Sequence, residues 1–219
     1  MSINKNIKKE KTMKTKKLLK QELLNQLYAP YKNCTACPLS RQGRKNVVFG
    51  TGNPDAKLML IGEAPGAGED AQGIPFIGRA GQLLNHALEA IGVDRSELYI
   101  TNIVKCRPPK NRTPIPCEIE TCKKLILEKQ LKIICPQIIC TLGAAATKGL
   151  LDDPTLKISK VRGKQAKYNG ITILPTYHPA YILRNRKELK TLMLDITTAY
   201  NIAKKTNKLV VDKWWISGG

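Results

Sequence analysis

Three short apolar runs constrain the fold more than anything else in the chain: residues 57–62 ("KLMLIG"), 98–104 ("LYITNIV") and 137–142 ("QIICTL"). Each has the length of a buried strand and is too short for a helix. The segments between them have helical character. Leu83, Leu84, Ala87, Leu88 and Ile91 lie on one helical face, and Gly92 stops it. The stretch "TPIPCEIETCKKLILEKQL" opens with proline and continues as a helix, and "GAAATKGLL" is a short helix. A last helix covers roughly 187–206. Asn169-Gly170 separates two runs in the manner of a hairpin turn. Strands alternating with helices imply an α/β fold: a mainly parallel sheet with helices on both faces.

Ahead of the first run, Leu19, Leu23 and Leu27 recur at i, i+4 and i+8 and predict a helix to near Tyr28, stopped by Pro30. Residues 1–15 show no periodicity and read as a disordered Lys-rich tail. Without an internal repeat or long linker, 16–210 read as one domain, and 211–219 as a C-terminal tail.

The formal charge of +20 is unusual for 219 residues. The first twenty residues hold eight Lys and one Glu, so +7 lies there and +13 on the rest. A basic body points to a polyanion, either nucleic acid or an anionic membrane surface. No apolar run reaches the ~18 residues of a spanning helix, and the lysines at the start precede no apolar signal core. The expected location is therefore the cytoplasm, at the nucleoid in a bacterium. Seven cysteines in a reducing compartment suggest metal ligation before disulfides.

In sheets of this kind ligands sit at the carboxyl ends of the strands. "GEAPG", "NIVKC" and "YHPAY" all fall where strands end. Cys34 and Cys37 form C-x2-C before the first strand, Cys106 follows the second, and Cys122 comes sixteen residues on. Four such thiolates suit one zinc or one iron–sulfur cluster, and spacing alone does not choose. Cys135 and Cys140 read as small core residues, and Cys117 is ambiguous.

Taken together, "GEAPGAGEDAQGIPFIGRAGQLLN", "TNIVKCRPPKNRTP", "ETC" and "PTYHPAYILR", in that order, carry a likeness. The chain resembles the family 4 uracil-DNA glycosylases, the iron–sulfur branch of the uracil-DNA glycosylase superfamily. The likeness runs from about Cys34 to the last helix. It implies a three-layer αβα fold with a central, mainly parallel four-stranded sheet. It also implies a [4Fe-4S] cluster on Cys34, Cys37, Cys106 and Cys122, which leaves Cys117 out.

The implied activity is that of a monofunctional hydrolase that flips uracil out of DNA, cuts its N-glycosidic bond and leaves an abasic site. Its partner would be uracil-containing DNA, single- or double-stranded, with the chain acting as a monomer away from membranes. By the resemblance, Phe76 stacks on the uracil, and His178 donates to its O2 as charge moves onto the leaving base. The glycines from Gly62 onward let the backbone approach the nucleotide. An amide at Asn102 can offer donor and acceptor together and so read N3–H and O4 of uracil. Glu63 and Glu69 match the family's two motif glutamates, near the positive charge that develops on the sugar. Asn111 matches a further functional position. The "GQDPY" aspartate of the better-known branch is missing, so water activation must differ.

Tyr181, Ile182, Leu183, Arg184 and Arg186 share one loop. Tyr181 or Leu183 would be the wedge and the arginines the phosphate contacts. Lys105, Arg107, Lys110 and Arg112 flank the third cysteine as a further backbone-contacting surface. Two alternatives remain: a uracil-DNA-binding relative with little turnover, and an iron–sulfur redox sensor. "GEAPG" in place of "GEQPG", and the lack of His between Cys106 and Cys122, count against the first. Intact Phe76, Asn102 and His178 count against the second.

Overall fold

The computed structural model describes residues 2–205, with side chains from Lys14 onward. Six strands form one sheet: β1 (Thr51–Gly52), β2 (Leu58–Gly62), β3 (Tyr99–Asn102), β4 (Ile138–Leu142), β5 (Ala166–Tyr168) and β6 (Ile171–Thr176). Their order is β1-β3-β2-β4-β6-β5. The four inner strands are parallel, as expected. The expected count of four is corrected to six, because antiparallel β1 and β5 extend the two edges. The β1 edge left no signal, since two exposed residues make no apolar run. The hairpin joining β5 to β6 turns at Asn169 (φ 47°) and Gly170 (φ 81°), the doubly positive geometry of a type I′ turn.

Each inner strand faces two cores with period two. Leu58, Leu60, Ile100, Ile138, Cys140 and Leu174 face one core, with Leu84 and Leu88 of α3 (Arg79–Ala90) and Leu192 and Ile196 of α9 (Leu189–Lys204). Met59, Ile61, Ile139 and Ile173 face the other, with Leu24 of α1 (Ser2–Tyr28), Ile126, and Leu131 of α5 (Glu128–Ile134). Burial on both faces is what lets these strands read as continuous apolar runs.

Helix α1 occupies the Lys-rich start that the sequence reading leaves irregular. Lys, Glu, Met and Leu favour helix, and no Gly or Pro intervenes before Pro30. Its buried face also differs from the expected one. Leu19 and Leu23 are exposed, and Leu24 is buried. Lys20 lies on the same side, its ammonium donating to Asp55 (2.6 Å) and to the Ile134 carbonyl (2.8 Å). A lysine stem lying along apolar surface does not register as apolar periodicity.

Cys140 is buried as expected, but Cys135 is exposed. It caps α5 at φ 51°, where the chain must leave the helix. The helix expected within 113–131 forms as α4 (Pro116–Cys122), a π-turn at Lys123–Leu127, and α5, starting later and running three residues further. A π-turn directly after a candidate ligand is a common marker of a functional site. Among the described residues no helix is long and apolar enough to cross a membrane. The tail set off at 211–219 lies outside the described residues.

Candidate active site

A cleft of about 750 Å³ opens at the carboxyl ends of the inner strands. Glu63, Glu69, Phe76, Asn102, Asn111, His178, Tyr181, Leu183 and Arg184 line it together. Gly62 ends β2 directly beneath. A Cβ at Gly62 would sit 2.4 Å from Phe76 Cζ and 2.5 Å from Asn102 Oδ1. The aromatic ring and the amide therefore converge on backbone, and only glycine leaves them room.

Phe76 is buried and holds φ at 54°, a left-handed conformation that costs about 1–3 kcal/mol for such a residue. Its neighbours hold it there. Arg95 Nη2 donates to the Pro75 carbonyl (2.9 Å). Glu69 Oε1 accepts from the N–H groups of Ile77 (3.1 Å) and Gly78 (2.8 Å). Gly81 presses under it, where a Cβ would lie 2.0 Å from the Phe76 carbonyl carbon. The adjacent acid, Asp70, turns elsewhere and accepts from the N–H groups of Lys45 (2.9 Å) and Asn46 (3.1 Å). The two buried acids of "GAGED" thus brace two different loops. Sequence reasoning missed Asp70 and Arg95, although Asp70 lies inside the motif it quoted.

Asn102 ends β3 and is 1% exposed, yet its Oδ1 meets no hydrogen-bond donor in the protein. A buried acceptor without a partner is costly, so its orientation toward the cleft fits a ligand donor.

His178 is the N-cap of α8 (Pro179–Ile182), and its Nδ1 accepts from the Ala180 N–H (3.0 Å). That bond places the proton of a neutral ring on Nε2. Burial lowers the imidazole pKa to about 4, against the opposing pull of the Glu69 charge. Its ring lies 6.0 Å from that of Phe76, centre to centre. Gly143, at φ 93°, admits the histidine where a Cβ would stand 2.8 Å from its own Cβ. His86 is exposed on α3, away from this group.

The histidine has a consequence for acid stability. Its folded value is about 4 and its ordinary value 6.5. Between these the unfolded chain binds a proton that the folded chain does not, so stability falls as pH drops from about 6.5 to about 4. The full effect should be ~2–4 kcal/mol. In urea melts across this range, His178→Gln should flatten the pH dependence relative to wild type. Parallel curves for the two proteins would remove His178 as the cause.

Burial raises the pKa of Glu63, and a hydrogen bond with Thr113 opposes it. Asn111 lies across the cleft at φ 55° and accepts from Arg107 Nε (2.8 Å). Arg112 grips the buried Glu118 through two bonds (2.7 and 2.9 Å), which shapes the loop between them. Lys110 is exposed. Lys105, expected at the surface, is fully buried. Its ammonium folds back onto Thr101 Oγ1 (2.5 Å) and the Asn102 carbonyl (2.7 Å). Burial lowers its pKa to about 7, with Cys122 and Cys106 opposing. On the other rim Tyr181 is exposed and packs on Tyr177 at 5.0 Å, while Ile182 is buried in the core and not in the loop's exposed wedge. Arg186 is exposed but does not line the cleft.

The four candidate ligands are electrostatic neighbours. Cys34, Cys37 and Cys122 all bear on Cys106, whose thiol burial pushes up to about 12. Cys122 is raised to about 11 by burial. Two cations accompany them. Arg44 Nη2 donates to the Cys34 carbonyl, and its buried Nε has no partner within the protein. The Lys105 N–H donates to Cys122 Sγ (3.3 Å). Cys117 is exposed. Among the described residues no three His, Cys, Asp or Glu side chains gather tightly enough for a single metal ion.

An α/β domain with an aromatic floor, a buried amide and an imidazole at its strand ends has the build of a base-binding protein. The uracil DNA glycosylase superfamily model matches residues 49–200. A type-4 uracil-DNA glycosylase of Thermotoga maritima is 45% identical over 189 residues, covering 85% of this chain and 97% of that protein. One of Pyrobaculum aerophilum is 44% identical, covering 74% and 85%. A type-5 enzyme of the latter organism is 31% identical over 59% of this chain and 63% of its own. The chain belongs to the uracil-DNA glycosylase superfamily, in its type-4 branch.

Proposed function

We propose that this protein is a monofunctional uracil-DNA glycosylase of base excision repair. It takes a flipped uracil from single- or double-stranded DNA into the cleft and hydrolyses its N-glycosidic bond, leaving an abasic site. One observation carries the reading. A buried amide oxygen without a partner and a neutral imidazole protonated on Nε2 meet beside the Phe76 ring in one cleft.

The uracil ring stacks on Phe76. Its N3–H donates to Asn102 Oδ1, and its O4 accepts from Asn102 Nδ2. Cytosine offers the reverse pattern and would leave both groups unpaired, a penalty that gives strong discrimination. His178 donates from Nε2 to O2. As the C1′–N1 bond breaks, its electron pair passes into the base and charge collects on O2, where this donor gains strength. Water attacks C1′, and the proton it gives up ends on the departing uracil anion, leaving neutral uracil and a hydroxyl on the abasic sugar. Glu63 and Asn111, on the cleft walls, are the groups for the sugar cation and that water. Glu69 acts through the Phe76 loop, since its Oε1 is taken by two backbone N–H groups. Among the described residues no lysine lines the cleft. That supports hydrolysis over a lyase reaction, which needs an amine nucleophile. Tyr181, Leu183 and Arg184 on the rim would fill the vacated stack and hold phosphates, with Arg186 further out. Location in the cytoplasm, at the nucleoid in a bacterium, follows from such a substrate.

A [4Fe-4S] cluster would be held by Cys34, Cys37, Cys106 and Cys122. The donor set fits: four cysteines that bear on one another beside Arg44 and Lys105, which is the number of thiolates such a cluster takes. Such a cluster would tie the 34–37 loop to the turn after β3 and to the end of α4. The purified protein should be brown and carry about four irons, with broad absorbance near ~400 nm. Cys34→Ala should lose the colour and fold poorly. A colourless, fully active protein holding one zinc would sink the cluster reading. The activity itself is tested by incubation with a uracil-containing oligonucleotide, followed by alkali to cleave abasic sites. An intact strand after alkali would exclude excision.

A further inference from the structure

We infer that Lys105 is a positioning residue that ties the cysteine centre to the base-reading end of β3. Its cysteine side rests on the cluster reading above; its Asn102 side does not. Lys105 is among the largest fully buried side chains of the protein. A buried ammonium is costly, and an apolar side chain of similar volume would fill the space more cheaply. The cation is therefore accounted for by what it bonds.

Four contacts meet at this residue. Nζ donates to the Asn102 carbonyl (2.7 Å) and to Thr101 Oγ1 (2.5 Å). The backbone N–H donates to Cys122 Sγ (3.3 Å), and the carbonyl accepts from the Val48 N–H (2.7 Å). Thr101 Oγ1 in turn donates to the Phe49 carbonyl (2.8 Å). The intervening backbone is pinned to the other half of the site. The Ile103 N–H donates to the Gly62 carbonyl (2.8 Å), and that of Val104 to the Glu63 carbonyl (3.2 Å). The turn from Asn102 to Cys106 is thus a short rigid strut. A displacement at Cys106 or Cys122 moves residue 105, and residue 105 holds the main chain of Asn102. A cluster placed outside the hydrolytic chemistry would then act on base recognition through one lysine.

The test uses the protein as purified, with Lys105→Met, Thr101→Val and the exposed Lys124→Met as control. Affinity is measured for a duplex carrying uncleavable 2′-fluoro-2′-deoxyuridine and for the same duplex carrying cytosine. The cytosine-to-uracil ratio of Kd should fall at least about tenfold in Lys105→Met and about threefold in Thr101→Val. It should hold in Lys124→Met, with iron content and Tm near wild type throughout. A Lys105→Met ratio within about twofold of wild type overturns the inference. If Lys105→Met does not fold, Thr101→Val carries the same comparison.

A second readout follows bleaching of visible absorbance by a chelator. The fluorouridine duplex should slow bleaching of the wild-type protein about threefold more than the cytosine duplex. Lys105→Met should show no such difference. Equal protection in both proteins overturns the link to the cysteine centre. A wild-type protein without iron removes the cluster reading, and the Lys105–Asn102 contact is then judged on the affinity ratio alone.

Discussion

His178→Ala should slow excision by ~10²–10³ while leaving affinity for uracil-DNA nearly intact. The reason is where its hydrogen bond gains strength. Before the bond breaks, uracil O2 is a neutral carbonyl, and a donor to it contributes ~1 kcal/mol. As the base leaves, O2 takes on much of a negative charge. The same donor in a water-poor cleft is then worth ~3–4 kcal/mol. Loss of a contact made mainly in the transition state lowers kcat and spares ground-state binding. Two features of the histidine support this expectation. Its Nδ1 is occupied by the Ala180 N–H, and its pKa of about 4 keeps it neutral near pH 7. Asn102→Ala should behave differently, losing uracil affinity and discrimination together. Single-turnover excision at saturating enzyme, beside equilibrium binding, separates the two. A His178→Ala protein that cut at the wild-type rate while His86→Ala did not would place the reacting histidine elsewhere.

Gly62→Ala should abolish uracil recognition as thoroughly as removing Asn102. The new methyl would fall 2.4 Å from the Phe76 ring and 2.5 Å from Asn102 Oδ1, and neither can yield freely. Phe76 is held by Arg95 and Glu69 on either side of its strained backbone, and Asn102 by Lys105. Overpacking of this kind costs about 1–3 kcal/mol of stability. The expected loss in kcat/KM is at least about 10²-fold, since the stacking ring and the reading amide shift together. Phe76→Ala should cost less stability in the Gly62→Ala background than in wild type, with a coupling of about 0.5–3 kcal/mol in urea melts. Strict additivity would show that the ring does not meet the methyl.

Local pattern made much of this protein legible. The buried strands announced themselves as apolar runs because both faces of the sheet are covered, and Asn169-Gly170 announced the hairpin because few other pairs accept two positive φ angles. Glu63, Asn102 and His178 stood in motifs at strand ends, Phe76 and Asn111 were marked by the resemblance to a family, and the fold brings all five to one cleft. The strands and the hairpin are local signals, carried by residues close together in the chain.

Other features depend on contacts across long separations. The division of labour between Glu69 and Asp70 depends on which backbone N–H groups arrive beside each, and two adjacent acids look alike in sequence. The left-handed Phe76 follows from Arg95 and Gly81 closing around it. Cys135 left the core because a helix had to end there. Lys105 was expected at the surface and Lys20 was counted only as charge, because lysines are usually exposed. Their ammonium groups turned inward only because tertiary packing set carbonyls there to receive them, one of them 114 residues away. Side-chain type determined what each residue could bond, and the folded chain decided which partners came within reach.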